Sequence, residues 1–171
     1  MLGGIRLDGL ADGFPLPSQA ALQPFLSTSD LERCVTAPAE ISGMWSVPRE
    51  PSSLRDVSTL LLGAGVAAAL RLGLGALLGL PHQKTFGILW SYGFQPVTEI
   101  GDGGRFSYPD ERYVSTLCRL DLPGPEGVAH EKRSWVTGLA QGQRLSVPAV
   151  RGKATVQLQL ADAPGPPDGP S

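Results

Sequence analysis

At 171 residues, with a formal net charge of −2 and a pI of about 5.6, the chain is long enough for one ordinary domain and lacks the basic surplus of a nucleic-acid binder. Its 22 glycines and 16 prolines approach the composition of low-complexity chains, so a loosely folded chain without a defined biochemical activity is one reading. Two cysteines, Cys34 and Cys118, are too few for a disulfide scaffold, and the absence of Asn removes any N-glycosylation acceptor.

Residues 1–53 read as a weakly structured N-terminal region. Arg6 and Asp8 interrupt the start, which has no apolar signal segment. Ser29 as N-cap with Glu32 three residues on predicts a short helix. Pro38, Pro48 and Pro51 then punctuate an irregular stretch over 36–53, and Pro48-Arg49-Glu50-Pro51 reads as a linker turn rather than a ligand for an SH3 domain.

Residues 54–81 carry the run TLLLGAGVAAALRLGLGALLGL, from Thr59 to Leu80. It has about the 20 apolar residues that a membrane-spanning helix needs, and its leucines outweigh the roughly 3 kcal/mol cost of Arg71 on an insertion scale. On a helix its small residues fall on one stripe, with Gly75 and Gly79 as a GxxxG pair and Arg71 at the edge. These three are the candidate helix-interface residues, for self-association or for a protein partner. Arg49 and Arg55 ahead of the run favour a cytoplasmic N-terminus.

The same stretch has a second reading. Asp56 to Leu62 reads as a strand leading into Gly63-Ala64-Gly65-Val66-Ala67-Ala68, a G-x-G-x-x-A match. Over about a dozen residues this resembles the dinucleotide-binding fingerprint of the Rossmann superfamily. The resemblance implies a nucleotide-binding fragment, with Gly63, Gly65 and Ala68 as cofactor-binding residues. No acid follows at the distance expected for a ribose contact; the next is Glu99.

Beyond Pro81 the pattern becomes β-rich over 84–160. Thr85 to Phe94 reads as a buried strand, or as an aromatic belt at a membrane surface. Val97–Ile100 and Arg105–Tyr108 flank Gly-Asp-Gly-Gly as a hairpin. Arg112–Leu122 alternates, with Val114, Thr116, Cys118, Leu120 and Leu122 on one face. Ser134–Leu139, Arg144–Val150 and Ala154–Leu160 complete a small antiparallel sheet. Residues 161–171, rich in Pro and Gly, read as a disordered tail.

Chemistry is sparse. His82 and His130 lack metal-ligand spacing, Cys118 alternates inward, and Asp102, Asp110 and Glu111 fall in turns. The sequence therefore predicts an α+β chain in which one apolar, transmembrane helix precedes a small antiparallel β-rich domain. Its function is that of a single-pass membrane protein acting by binding rather than catalysis, with no metal or cofactor. The alternative is a cytoplasmic α+β domain, including the nucleotide-binding fragment.

Overall fold

The computed structural model describes residues 3–9, 15–34, 37–46, 54–148 and 155–160. In chain order these form β1 (Gly3–Gly9), α1 (Pro17–Leu22), α2 (Thr28–Cys34), β2 (Ala39–Ser46), α3 (Leu54–Arg71), β3 (Ala76–Gly79), α4 (Gln83–Trp90), β4 (Gln95–Pro96), β5 (Arg105–Ser107), β6 (Val114–Thr116), β7 (Cys118–Asp121), α5 (His130–Ala140), β8 (Leu145–Pro148) and β9 (Thr155–Leu158). A turn of 3-10 helix, Pro125–Gly127, precedes α5.

The centre is a mixed five-stranded sheet in the order β1-β2-β3-β7-β4. Only β2 and β3 are parallel, and α3 is the crossover between them; every other pairing is antiparallel. All four residues of β3 are buried, as befits a strand covered on both faces. Leu77 packs with Ala39, Ile41, Leu62, Val66, Tyr92, Cys118, Leu120 and Val136 on the face covered by α3, α4 and α5. Leu78 and Ala76 point the other way, into a second cluster with Leu16, Leu22, Ile100, Phe106 and Leu117. The β5–β6 pair and the β8–β9 hairpin stand apart from the main sheet.

The expected transmembrane helix does not form. The apolar run breaks into α3, a turn and β3, and no helix among the described residues is long and apolar enough to cross a membrane. The break is local chemistry. Gly73 takes a φ of +69°, and the amides of Gly73 and Leu74 bond back to the carbonyls of Leu70 and Ala69, the pattern that closes a helix through a left-handed residue. The remaining 18 residues of α3 span about 27 Å. They include Arg55, Asp56 and Arg71, and the apolar side buries Leu62, Val66, Ala67 and Ala69 against protein, not lipid.

The fold class is corrected with it. The molecule is α+β with a mixed sheet, not a spanning helix followed by an antiparallel domain. Thr85–Phe94 is largely α4, in which Phe86, Leu89 and Trp90 recur at helical spacing. Ser134–Leu139 lies inside α5, where Trp135, Val136 and Leu139 meet the core beside α3. Arg105–Ser107 pairs with Val114–Thr116 rather than with 97–100. The cap of α2 is Ser27, two residues before the expected Ser29; its hydroxyl accepts from the Asp30 amide at 3.2 Å and donates to the Asp30 carboxylate at 2.7 Å. The 161–171 tail and the expected cap Ser53 lie outside the described residues.

Candidate functional site

The site grows from the short parallel pairing of β2 and β3. β2 and β3 share two register pairs, Ala39 with Leu77 and Glu40 with Leu78, although β2 continues to Ser46. Pairing stops after Glu40, one residue before β3 itself ends at Gly79, and Gly79 still lies beside the Ile41 carbonyl. On one side β1 holds β2, pairing Leu7 with Ile41 and Arg6 with Ser42 across a bulge between Gly4 and Arg6. On the other, β3 reaches Pro81, which has no amide to give a ladder. The Pro81 carbonyl accepts from the Thr116 amide at 3.0 Å, and His82 bridges to Ser115, so this segment is drawn toward β6.

The end of this pairing leaves an opening at the carboxyl ends of the two parallel strands, where open α/β sheets commonly take ligands. On the α3/α4 face it widens into a cavity of about 180 Å³, floored by Leu62, Thr85 and Leu89. On the opposite face lies a cavity of about 260 Å³, lined by Arg6, Pro17, Ser18, Glu40 and Tyr108. Ile41, Ser42, Gly43 and Leu80 line both, so the two cavities lie back to back at this end of the sheet.

Glu40 and Arg6 are the charged groups that line the second of these cavities. Glu40 is 2% exposed, and its carboxylate accepts from the Ser18 amide at 2.7 Å. That bond serves α1, whose N-cap Leu16 has no capping side chain. Burial raises the Glu40 pKa; the hydrogen bonds from Ser18 oppose it, Asp8 adds to it, and Arg6 lowers it. Next along β2, Ser42 donates to the Asp8 carboxylate, and Arg6 Nε reaches both Ser42 Oγ, at 3.2 Å, and Asp8, at 2.8 Å. Alternation puts Glu40 and Ser42 on one face and Ile41 on the other.

His82 closes the opposite wall. As N-cap of α4 it accepts the Lys84 amide on Nδ1 at 3.2 Å, which leaves the ring proton on Nε2. Nε2 is buried and has no hydrogen-bond partner among the described residues. The Tyr113 ring stands edge-on to the imidazole, 5.1 Å between centroids.

The residues singled out from sequence are scattered. Gly63, Gly65 and Ala68 stand inside α3 rather than in a strand-to-helix turn. A Cβ on Gly63 would strike Trp135, and one on Gly65 would press the Ile41 side chain at 3.2 Å. Arg71 ends α3, Gly75 lies in the following turn and Gly79 in β3, so the three share no helix face. Cys118 is a free, buried thiol whose pKa burial pushes up to about 12. His130 begins α5 and is exposed. Asp110 is held below the usual carboxylate range by Arg112. Asp102 pairs with Arg105 at 3.2 Å. Among the described residues no three His, Cys, Asp or Glu side chains gather as metal ligands. Sequence reasoning missed Glu40 and Ser42. The available signal was an acid enclosed in Ala39-Glu40-Ile41, where strand periodicity gives it a face of its own.

The chain matches no family model, no curated protein and no solved structure.

Proposed function

We propose that the protein binds a thin, extended, amide-bearing chain in the opening between β2 and β3, and a small amine in the Glu40 cavity behind it. The observation that supports this is that pairing between two parallel strands ends after two register pairs, with a cavity on each face beyond it. Where parallel pairing stops, main-chain donors and acceptors can be left for an extended chain of amides; Pro81 has no amide and its carbonyl is engaged by Thr116, so the β2 side would carry the bonds. The pantetheine arm of coenzyme A has that shape and chemistry, and it ends in a carried group.

The reaction class that fits such a two-sided opening is acyl transfer. The amine nitrogen attacks the thioester carbonyl, the carbon–sulfur bond breaks, and the thiolate takes up a proton as it leaves. Glu40, which lines the amine cavity and whose pKa burial raises, would accept the proton lost by the amine. Ser42, which lines both cavities, would then stand between the two ligands.

Titration calorimetry with coenzyme A and with a short extended peptide tests this. Coenzyme A is expected to bind saturably, and Leu80→Trp, which fills the junction, to abolish binding with the circular dichroism spectrum retained. Preference for the peptide, or no saturable binding of either ligand, would overturn it.

A further inference from the structure

We propose that β1 is an edge that recognises itself: two copies of the chain join their β1 strands antiparallel, centred on Leu7, and the sheet continues from one molecule into the other. This interface is separate from the opening between β2 and β3 and does not depend on the reading above. β1 ends the sheet order, so among the described residues its outer edge pairs with no strand. Its seven residues, Gly3–Gly9, are paired on the other side with β2, and along such a ladder alternate residues turn their amide and carbonyl outward. None of the seven is a proline, so each has an amide to give. The irregularity in the ladder falls on β2, where Gly43 and Met44 stand against Ile5; from Arg6 to Gly9 the register is regular.

The charges decide which partner fits and in what register. Ile5 and Leu7 pack toward the core, and alternation puts Arg6 and Asp8 on the other face of the strand. A two-fold axis at Leu7 sets Arg6 of each copy directly opposite Asp8 of the other, and Ile5 opposite Gly9. Sliding either copy by two residues sets Arg6 against Arg6 or Asp8 against Asp8, so like charges meet. Edge strands that stay single are commonly blunted by Pro, by Lys or by a bulge of their own; β1 carries instead an acid and a base that complement a second β1. The Arg6 side chain is 63% exposed, and its bonds among the described residues run from Nε to Asp8 and Ser42, which leaves the Nη groups for a carboxylate across the interface. The Trp45 ring, half-exposed, lies over Gly4, which has no side chain to displace it, and adds apolar surface beside the edge.

Sedimentation velocity of the full chain over a series of concentrations is the test. The wild type is expected to dimerise reversibly, and added salt, which screens exposed charge pairs, to weaken the dimer. Arg6→Asp and Asp8→Arg each set like charges opposite one another twice, and each is expected to weaken the dimer about tenfold or more. An equimolar mixture of these two variants is expected to regain it, because every cross-strand charge in the mixed pair meets its opposite. The mixture separates the interface from the Arg6–Asp8 pair within one strand, which stays broken in both variants. The double variant Arg6→Asp with Asp8→Arg restores opposite signs within and between copies and is expected to associate like the wild type, with circular dichroism as the check on folding. A wild type that is monomeric at every concentration would overturn the proposal. So would a dimer that neither salt nor either single variant weakens, or a mixture no more associated than its parts.

Discussion

Glu40 serves two ends that oppose each other. Its carboxylate satisfies an amide in the first turn of α1, yet its burial disfavours the charge that makes the bond strong. The raised pKa fixes the sign of a pH effect. Below its ordinary pKa of 4.5 the carboxyl is protonated whether folded or not, and its contribution is fully present. As pH rises through the raised folded value the native state ionises at a cost the unfolded chain does not bear, and stability is lost. Glu40→Gln keeps an acceptor for the Ser18 amide and removes that cost. Denaturation curves at a series of pH values are expected to show the wild type losing stability relative to Glu40→Gln as pH rises toward neutrality. A constant difference across the series would refute it. Cys118 gives a second check at this scale. With its thiol pKa near 12 and its Sγ 3.5 Å from the Thr116 carbonyl, it is expected to resist thiol-directed labelling in the folded protein at neutral pH. Peptide mapping of a labelled sample reads the outcome directly, and rapid labelling of Cys118 would contradict its burial.

Among the elements, α3 and β3 depend on single glycines. A side chain at position 73 must adopt the left-handed region, so Gly73→Ala is expected to destabilise the protein by roughly 1 kcal/mol. Gly63 admits the Trp135 ring and the Tyr92 hydroxyl, and the latter donates to the Thr59 carbonyl at 2.6 Å. Gly63→Leu would separate α3 from α5, and about 3 kcal/mol or more is expected, read from the urea midpoint. Sequence patterning found the elements whose periodicity is undisturbed. Of the expected inward positions Cys118, Leu120 and Leu122 are buried, whereas Val114 is exposed and Leu117 buried because the stretch breaks into β6 and β7; Leu145–Pro148 pairs with Thr155–Leu158 near the expected bounds. It failed at 59–80 because a buried helix followed directly by a buried central strand is apolar throughout, and nothing in composition marks the change of period. It failed at α4 and α5 because their aromatic and β-branched residues favour strands locally, while the sheet needs helices to cover its face. The site was illegible for a different reason. An opening between strands belongs to pairing that is absent, and residues of the same types would sit in a closed sheet.

At the scale of the whole molecule, burial is deepest where β3 and β7 lie between the two apolar clusters. Amide exchange is therefore expected to be slowest at Leu77, Leu78 and Leu120 and faster in the β8–β9 hairpin, which pairs with neither. The reverse order would mean that the core is not where the clusters place it. The short pairing of β2 and β3 has one more consequence. Mechanically the sheet is two leaves: β1 with β2, and β3 with β7 and β4, joined along a spine of two residue pairs. The leaves are further held together by α3, which packs across β1 and β2 on its way to β3. Anything that bonds to both leaves supplies rungs farther from the spine and so acts with a longer lever arm. An occupant of the opening would stiffen the molecule out of proportion to the area it covers.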